Sequence, residues 1–337
     1  MPSAQRTARI AFLALFFVLT AQGLLQTARD SLFLAKLPSS SLPYVYVLVA
    51  FLTLLVSRLQ RWSGRGGLLP TLSMASLGTA LLWVALPIGG VPILYAVYAW
   101  AGVVGSLLTI QFWSTLSGSM TMTEARQHFG FIGSGATFGA LAGNATAAVL
   151  TQWLPSHLLL LGVAAVFALA LAPTYWMVRS TAGRSVSKPA KARITKPLRE
   201  ILSPYVLVVG SMVLIGSVCL TIVDWQFKSW MSDTYAPDQL GQSFATAYLV
   251  FNLLGLFVQL FVVQRVLRGP GVGAGLAPLP ALVTTTSVIG ALGFPVVGAL
   301  GAQLAAGSLK HTLSKTSREL LFVPMASHVR AQVKDIR

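Results

Sequence analysis

Charge is what this sequence has least of. Only 9% of its 337 residues are charged, against 55% that are hydrophobic. A soluble domain uses about a quarter charged residues overall, so a chain this poor in charge cannot cover itself against water. Its solvent is lipid. Cysteine is rarer still. Cys219 stands alone within an apolar run, which excludes an intrachain disulfide and a cysteine-based metal site and reads as a packing residue. The four histidines, His128, His157, His311 and His328, fall in different loops or helix ends with no i, i+4 pair. No metal site and no cofactor is expected from them. Clustered carboxylates or histidines at a helix end, which a membrane-embedded enzyme acting on lipid-linked substrates would need, are also missing from the pattern, and the chain does not read as an enzyme.

What is present is a succession of apolar runs, each near the 17 to 25 residues, roughly, that a bilayer crossing requires. They lie at about 10–34, 42–60, 67–87, 91–117, 130–152, 156–178, 204–231, 241–265, 273–294 and 295–313, separated by turn signals such as "LPIGGVP" and "QWLPSH". The expectation is an all-α, polytopic transmembrane bundle of ten helices. Arg6 and Arg9 ahead of the first run imitate the basic flank of a signal peptide, but the length and polar stripe of that run predict a retained helix.

The 24 Lys and Arg residues far outnumber the 8 acids and give a formal charge of +16, a balance that suggests nucleic acid until the charges are placed on loops. With the N-terminus inside, every Lys and Arg except Arg29, Lys36 and Lys228 falls on the cytoplasmic side. One missed or extra crossing would destroy this asymmetry. The basic excess is therefore an orientation signal, with no nucleic-acid partner implied. It predicts a multi-pass protein of the cell (inner) membrane with both termini cytoplasmic.

The polar segment "RSTAGRSVSKPAKARITKPLRE" begins a basic linker, 179–203, which separates an N-terminal six-helix half, 1–178, from a C-terminal part, 204–337, that holds four helices and an amphipathic cytoplasmic segment. The two parts open alike. The interval from Arg9 to Asp30 equals that from Ser203 to Asp224, and each ends in a charged cluster, "RD" in one case and "DWQFK" in the other. The following helices correspond too, with early tyrosines Tyr46 and Tyr248 and closing arginines Arg58 and Arg265. Repeated halves of this kind mark transporters whose substrate site lies at the repeat interface.

Helical spacing puts Gln22, Gln26 and Arg29 on one stripe and Ser217, Thr221, Asp224 and Lys228 on another. Shorter stripes occur at Gln111, Ser114 and Gly118, at Asn252, Gly255 and Gln259, and at Gln303, Gly307 and Lys310. A charge at the centre of a membrane helix is disfavoured by about 2.5 to 3.5 kcal/mol on insertion scales, so these stripes are expected to face a bundle interior or a watery cavity. The alternative is that Asp30 and Asp224 sit at the outer membrane edge, since the interval from each cytoplasmic flank rises about 31 Å. Gly135, Gly139 and Gly143 recur every fourth residue in "FGFIGSGATFGALAGN". That is the small-residue spacing of closely packed helices; no lysine-serine pair follows to make a phosphate loop.

In order, "ARDSLFL", "LPYVYVLVAF", "QFWSTLSG" with "EARQHFGFIGSGATFGALAGN", "DWQFKSW" and "SRELLFVPMASHVRAQVKD" resemble the ATP:ADP antiporter (nucleotide transporter) family, a branch of the major facilitator superfamily. The resemblance covers nearly the whole chain. It implies a twelve-helix fold built as six plus six, of which the last two helices are missing here, and exchange of ATP for ADP. It also implies that the pair Arg29 and Asp30 and the pair Asp224 and Lys228 belong to the transport pathway; members commonly carry a Lys-Asp pair and a Glu at the positions of Arg29, Asp30 and Asp224. The expected site thus comprises Arg29, Asp30, Asp224, Lys228, Lys310, Gln22 and Gln26 around a small anionic substrate, ATP or ADP, with membrane lipid as the other partner. Tyr46, Trp113 and Trp225 are available for base stacking. A transporter of another organic anion and a non-transporting scaffold or sensor are the alternatives.

The charge asymmetry makes a direct prediction. A membrane-impermeant maleimide applied to intact cells should label Ser156→Cys and leave Ser187→Cys unlabelled until the cells are opened; the reverse pattern would invert the orientation.

Overall fold

The computed structural model of the chain describes residues 2–63, 67–120, 122–182, 204–258, 261, 278–293 and 295–309. Ten α-helices are found among them: α1 (Pro2–Leu34), α2 (Leu42–Ser63), α3 (Leu68–Ala85), α4 (Gly90–Ser117), α5 (Met122–Leu150), α6 (Leu159–Ala182), α7 (Pro204–Thr234), α8 (Leu240–Phe257), α9 (Pro278–Ala291) and α10 (Pro295–Leu309). Single 3-10 turns at Ser39–Ser41 and Ser156–Leu158 lead into α2 and α6. The starts of α2, α6 and α10 coincide with the Pro- and Gly-rich turns that interrupt the apolar runs.

Seven helices, α1 to α4 and α6 to α8, are both long and apolar enough to cross a bilayer. The helix α5 has the length, at 29 residues, but its apolar character is diluted by the five glycines from Gly130 to Gly143. The ninth and tenth expected crossings correspond to helices of 14 and 15 residues, shorter than the runs 273–294 and 295–313; the outer residues of those runs, Lys310 among them, lie outside the described residues. So do most of the 179–203 linker and the C-terminal segment 310–337.

Contacts group the chain into two compact units. The first comprises α1 to α6 with Met231–Val250; the second holds α7 up to Trp230 and, from Phe251, the remainder of α8 with α9 and α10. In the first unit α1 is the hub, packed against α5, α6 and α4, while α3 lies against α6 and α4, and α2 against α4. Its core joins Ala11, Leu15, Val18 and Leu25 of α1 to Leu72 of α3, Leu108 and Phe112 of α4, Val163 and Phe167 of α6, and Ala245 of α8. Outward stripes are apolar as well: Met74, Leu77, Leu81 and Val84 of α3 are all exposed. A soluble protein would make that face polar. Here it is the surface that lipid wets.

The predicted small-residue seam joins α1 to α5. A Cβ placed on Gly135, Gly139 or Gly143 would run into the backbone carbonyl of Phe12, Phe16 or Thr20, respectively. The register climbs in the same sense on both helices, so α1 and α5 run parallel at backbone contact for two turns. Gly290 and Gly298 bring α9 and α10 together in the same way in the second unit, across a tight turn at Gly293 whose φ of 105° belongs to glycine. Polar clips reinforce the first unit: Ser76 Oγ donates to the Ala164 carbonyl at 2.8 Å, and Trp100 Nε1 donates to Thr79 Oγ1 at 3.1 Å.

One expectation is corrected. Cys219 is exposed on α7 and packs no core. Its neighbours Leu214, Ile215, Val218 and Ile222 are exposed too, so this stretch of α7 is apolar on an outward face.

Because the atoms facing Gly139 are backbone and cannot swing aside, Gly139→Leu should destabilise the protein by about 3 kcal/mol, at or beyond the upper end of ordinary overpacking. Gly133, with nothing near its Cβ position, should accept alanine with no loss. Thermal unfolding in detergent compares the two; equal midpoints would refute the seam.

Candidate functional site

Two acid–base pairs inside helices form the chemistry-bearing features, one in each unit. The first is at the end of α1. Side chains adjacent on a helix diverge and do not ordinarily face each other, yet Arg29 Nε donates to Asp30 Oδ1 at 3.0 Å and Nη2 to Oδ2 at 3.4 Å. The long arginine arm bends sideways to do this. Its guanidinium carbon then lies 4.6 Å from the centroid of the Tyr98 ring of α4, a cation–π contact contributing about 2 kcal/mol where water is excluded. The Tyr98 ring is held in turn by Phe33, edge-on at 5.2 Å, and by Tyr46 of α2 at 6.2 Å. From α8, the Tyr248 hydroxyl donates to Asp30 Oδ2 at 2.8 Å, and Phe244 stacks on Tyr248 at 5.8 Å. The carboxylate is fully buried, while the Arg29 side chain keeps 19% of its surface exposed.

Below this cluster the stripe continues down α1. Gln22 Nε2 donates to the Gly105 carbonyl of α4 at 3.3 Å. Gln26 is half-buried and makes no side-chain hydrogen bond among the described residues.

The second pair is on α7. Lys228 Nζ lies 2.7 Å from Asp224 Oδ2, one turn earlier. The other carboxylate oxygen accepts from Gln303 Nε2 of α10 at 3.2 Å. Around them Val223 packs with Ala302 and Ala306 of α10, and Phe227 meets Phe251 edge-on at 5.5 Å. Exposure is inverted relative to the first pair: the lysine is 1% exposed and the aspartate 28%. The cause is visible on the helix, where Lys228 shares a buried stripe with Val223, Phe227 and Met231.

Arg29, Asp30, Gln22 and Gln26 are thus on one helix of the first unit, and Asp224 and Lys228 are paired in the second. Lys310 lies outside the described residues. Three participants were not among the expected site residues. Gln303 was legible as a polar position on the tenth helix, and Tyr248 as the counterpart of Tyr46, but neither was tied to a carboxylate. Tyr98 carried no signal beyond being aromatic. Of the proposed stacking residues, Tyr46 supports Tyr98, and Trp113 is wedged edge-on between Phe112 and Phe129 at 5.5 Å from each.

No family model matches the chain. In sequence it is 22% identical over 267 residues to ADP,ATP carrier protein 1 of Chlamydia pneumoniae, an alignment covering 67% of this chain and 52% of that protein. The chain spans about half the length of the chlamydial carriers it matches. In structure it superposes on a point mutant of the nucleoside transporter NupG with a TM-score of 0.61 and 14% identity, over 98% of this chain and 86% of that one. A D-xylose-proton symporter gives 0.59 at 14% identity, over 98% and 85% of the two chains. The chain is a multi-pass helical protein with the major-facilitator fold and a distant sequence likeness to the chlamydial ADP,ATP carrier proteins.

Proposed function

We propose that this chain is a secondary transporter that exchanges ATP and ADP across the cell membrane by alternating access of two helical halves, 1–178 and 204–337, joined by the 179–203 linker, with both termini cytoplasmic. The observation that carries the proposal is the recurrence of one acid–base pair with a buried member in the first helix of each half, Arg29 with Asp30 and Asp224 with Lys228. Isolated charges at such depth are disfavoured. Pairing lowers that cost and keeps each cation available in exchange for another anion. A phosphate competes with Asp30 for the planar fork of Arg29, which suits two parallel hydrogen bonds, and with Asp224 for the point charge of Lys228. Gln22 and Gln26 supply amide groups along the same stripe, and Lys310 adds a third cation. Substrate binding shifts the conformational equilibrium because occupied and empty states differ in which anion each cation holds. The likeness to ADP,ATP carriers supports the cargo; the fold supports the transport class, since it also hosts a nucleoside transporter and a sugar symporter.

Binding and exchange of labelled ATP and ADP in proteoliposomes test this. Lys228→Ala should weaken nucleotide binding by at least about tenfold, the equivalent of one charge-assisted hydrogen bond, and Lys228→Arg should recover part of it. Asp224→Asn strands the buried ammonium, so it should slow exchange and also lower stability by about 3 kcal/mol; removing both charges together, Asp224→Ala with Lys228→Ala, should cost less stability than Asp224→Asn alone. Undiminished binding and exchange in both single variants would remove the assigned roles. Absence of nucleotide binding by the unmodified chain, with uptake of a different organic anion, would move the cargo to that anion.

A further inference from the structure

At the opposite end of α1 from the Arg29 cluster, a cleft of about 400 Å³ opens between the first turns of α1 and the last turns of α6, lined by Arg6, Ile10, Leu13, Pro173 and Trp176. The two helices are antiparallel here, and the cleft sits at the ends of both crossing segments, Gln5–Leu34 and Ser156–Ser180. Pro173 lies inside α6. Its ring has no N–H to give the preceding turn of the helix. The cleft has two chemically distinct parts. Ile10, Leu13, Pro173 and the half-exposed Trp176 form an apolar wall, with Leu13 at 47% and Trp176 at 52% exposure. The cationic lining residue of the cleft is Arg6; Arg179 lies beside the cleft, with its guanidinium carbon 5.9 Å from the centroid of the Trp176 ring and Nη1 donating to the Tyr175 hydroxyl at 3.5 Å.

Neither arginine has an acidic partner among the described residues, and apart from Asp30, at the far end of α1, neither helix carries an acid. A cation in the lining, a second beside it and an apolar wall have the complementarity of one class of occupant: a molecule with a phosphate anion at one end and hydrocarbon at the other. We propose that this cleft is a binding site for an anionic phospholipid, whose headgroup phosphate is held by Arg6 and Arg179 while one acyl chain lies along Ile10, Leu13 and Trp176. Trp176 belongs to both parts, as an amphipathic ring at the level where headgroup meets chain. A soluble phosphate would use the cations and leave the apolar wall uncovered.

Native mass spectrometry of the whole chain, released from micelles containing equal amounts of phosphatidylglycerol and phosphatidylcholine with identical acyl chains, reads the site out. The unmodified protein should retain phosphatidylglycerol over phosphatidylcholine by about tenfold or more, the effect of two basic side chains near an anionic lipid. Arg6→Gln with Arg179→Gln should bring the ratio to within about twofold of unity, and Arg6→Lys with Arg179→Lys should restore it. Lys188→Gln with Lys191→Gln removes the same charge from the linker and should leave the ratio unchanged. Trp176→Ala should reduce retention of both lipids while preserving their ratio. An unaltered preference in the double glutamine variant, or an equal loss in the linker variant, would overturn the site and assign the preference to the protein's diffuse positive charge.

Discussion

A charge that enters hydrocarbon must bring its partner with it, and the arrangement of this protein follows from where those partners are available. There are 24 basic residues and only 8 acids, so the acids are the limiting component. In each of α1 and α7 one acid holds a cation at depth, and each of these acids is then fastened to another helix: Asp30 by the Tyr248 hydroxyl of α8, Asp224 by the Gln303 amide of α10. The ion pairs therefore do more than neutralise charge. Every lone pair satisfied by a neighbouring helix fixes that neighbour's register, because an unmatched donor or acceptor in this environment costs several kcal/mol, of the order assigned to an unpaired polar group in lipid.

Apolar burial cannot do that job alone. Lipid tails are as apolar as leucine, so association of α1 with its neighbours gains little from hiding hydrophobic surface and depends on close packing. The glycines of α5 meet that need by allowing the backbone of α1 to approach without intervening side chains. Close approach and ion pairing are complementary along α1: the glycine seam holds the middle of the helix, from Phe12 to Thr20, and the polar cluster holds the last turns, where the seam has ended.

The parts of this arrangement that could be read from sequence are those carried by local spacing. Helix positions follow from run length and turn residues. The seam follows from glycines at every fourth position, and the Asp224–Lys228 pair follows from an i, i+4 interval that faces two side chains together. What could not be read is which distant residue completes a local feature. Tyr248 is 218 positions from Asp30, and periodicity names the face of a helix without naming what covers it. Cys219 illustrates the same limit: it sits among apolar residues off the polar stripe of α7, and spacing alone does not distinguish an apolar face that packs from one that meets lipid. The turn between α9 and α10 was legible by contrast, because Gly293 and Pro295 interrupt two adjacent apolar runs and both carry a backbone preference that needs no distant partner.

The inverted exposure of the two pairs bears on how a transported anion could engage them. In the α1 pair the acid is buried and the cation is the accessible member; in the α7 pair the cation is buried and the acid is accessible. On the proposed reading, a phosphate would reach Arg29 first, because the arginine is the accessible member of its pair and rests on Tyr98, though it must still compete with Asp30 for the guanidinium. At α7 it would meet the carboxylate first and be repelled. Lys228 becomes available only when Asp224 moves, and Asp224 is held by Gln303 as well as by the lysine itself. On the proposed reading, capture and conformational change are therefore assigned to different pairs: Arg29 supplies an affinity that is present in the resting arrangement, and Lys228 supplies one that exists only after the α7–α10 contact has been remade. An interaction gained only in the altered arrangement is what shifts the balance between two states, whereas one equally present in both adds affinity and no movement.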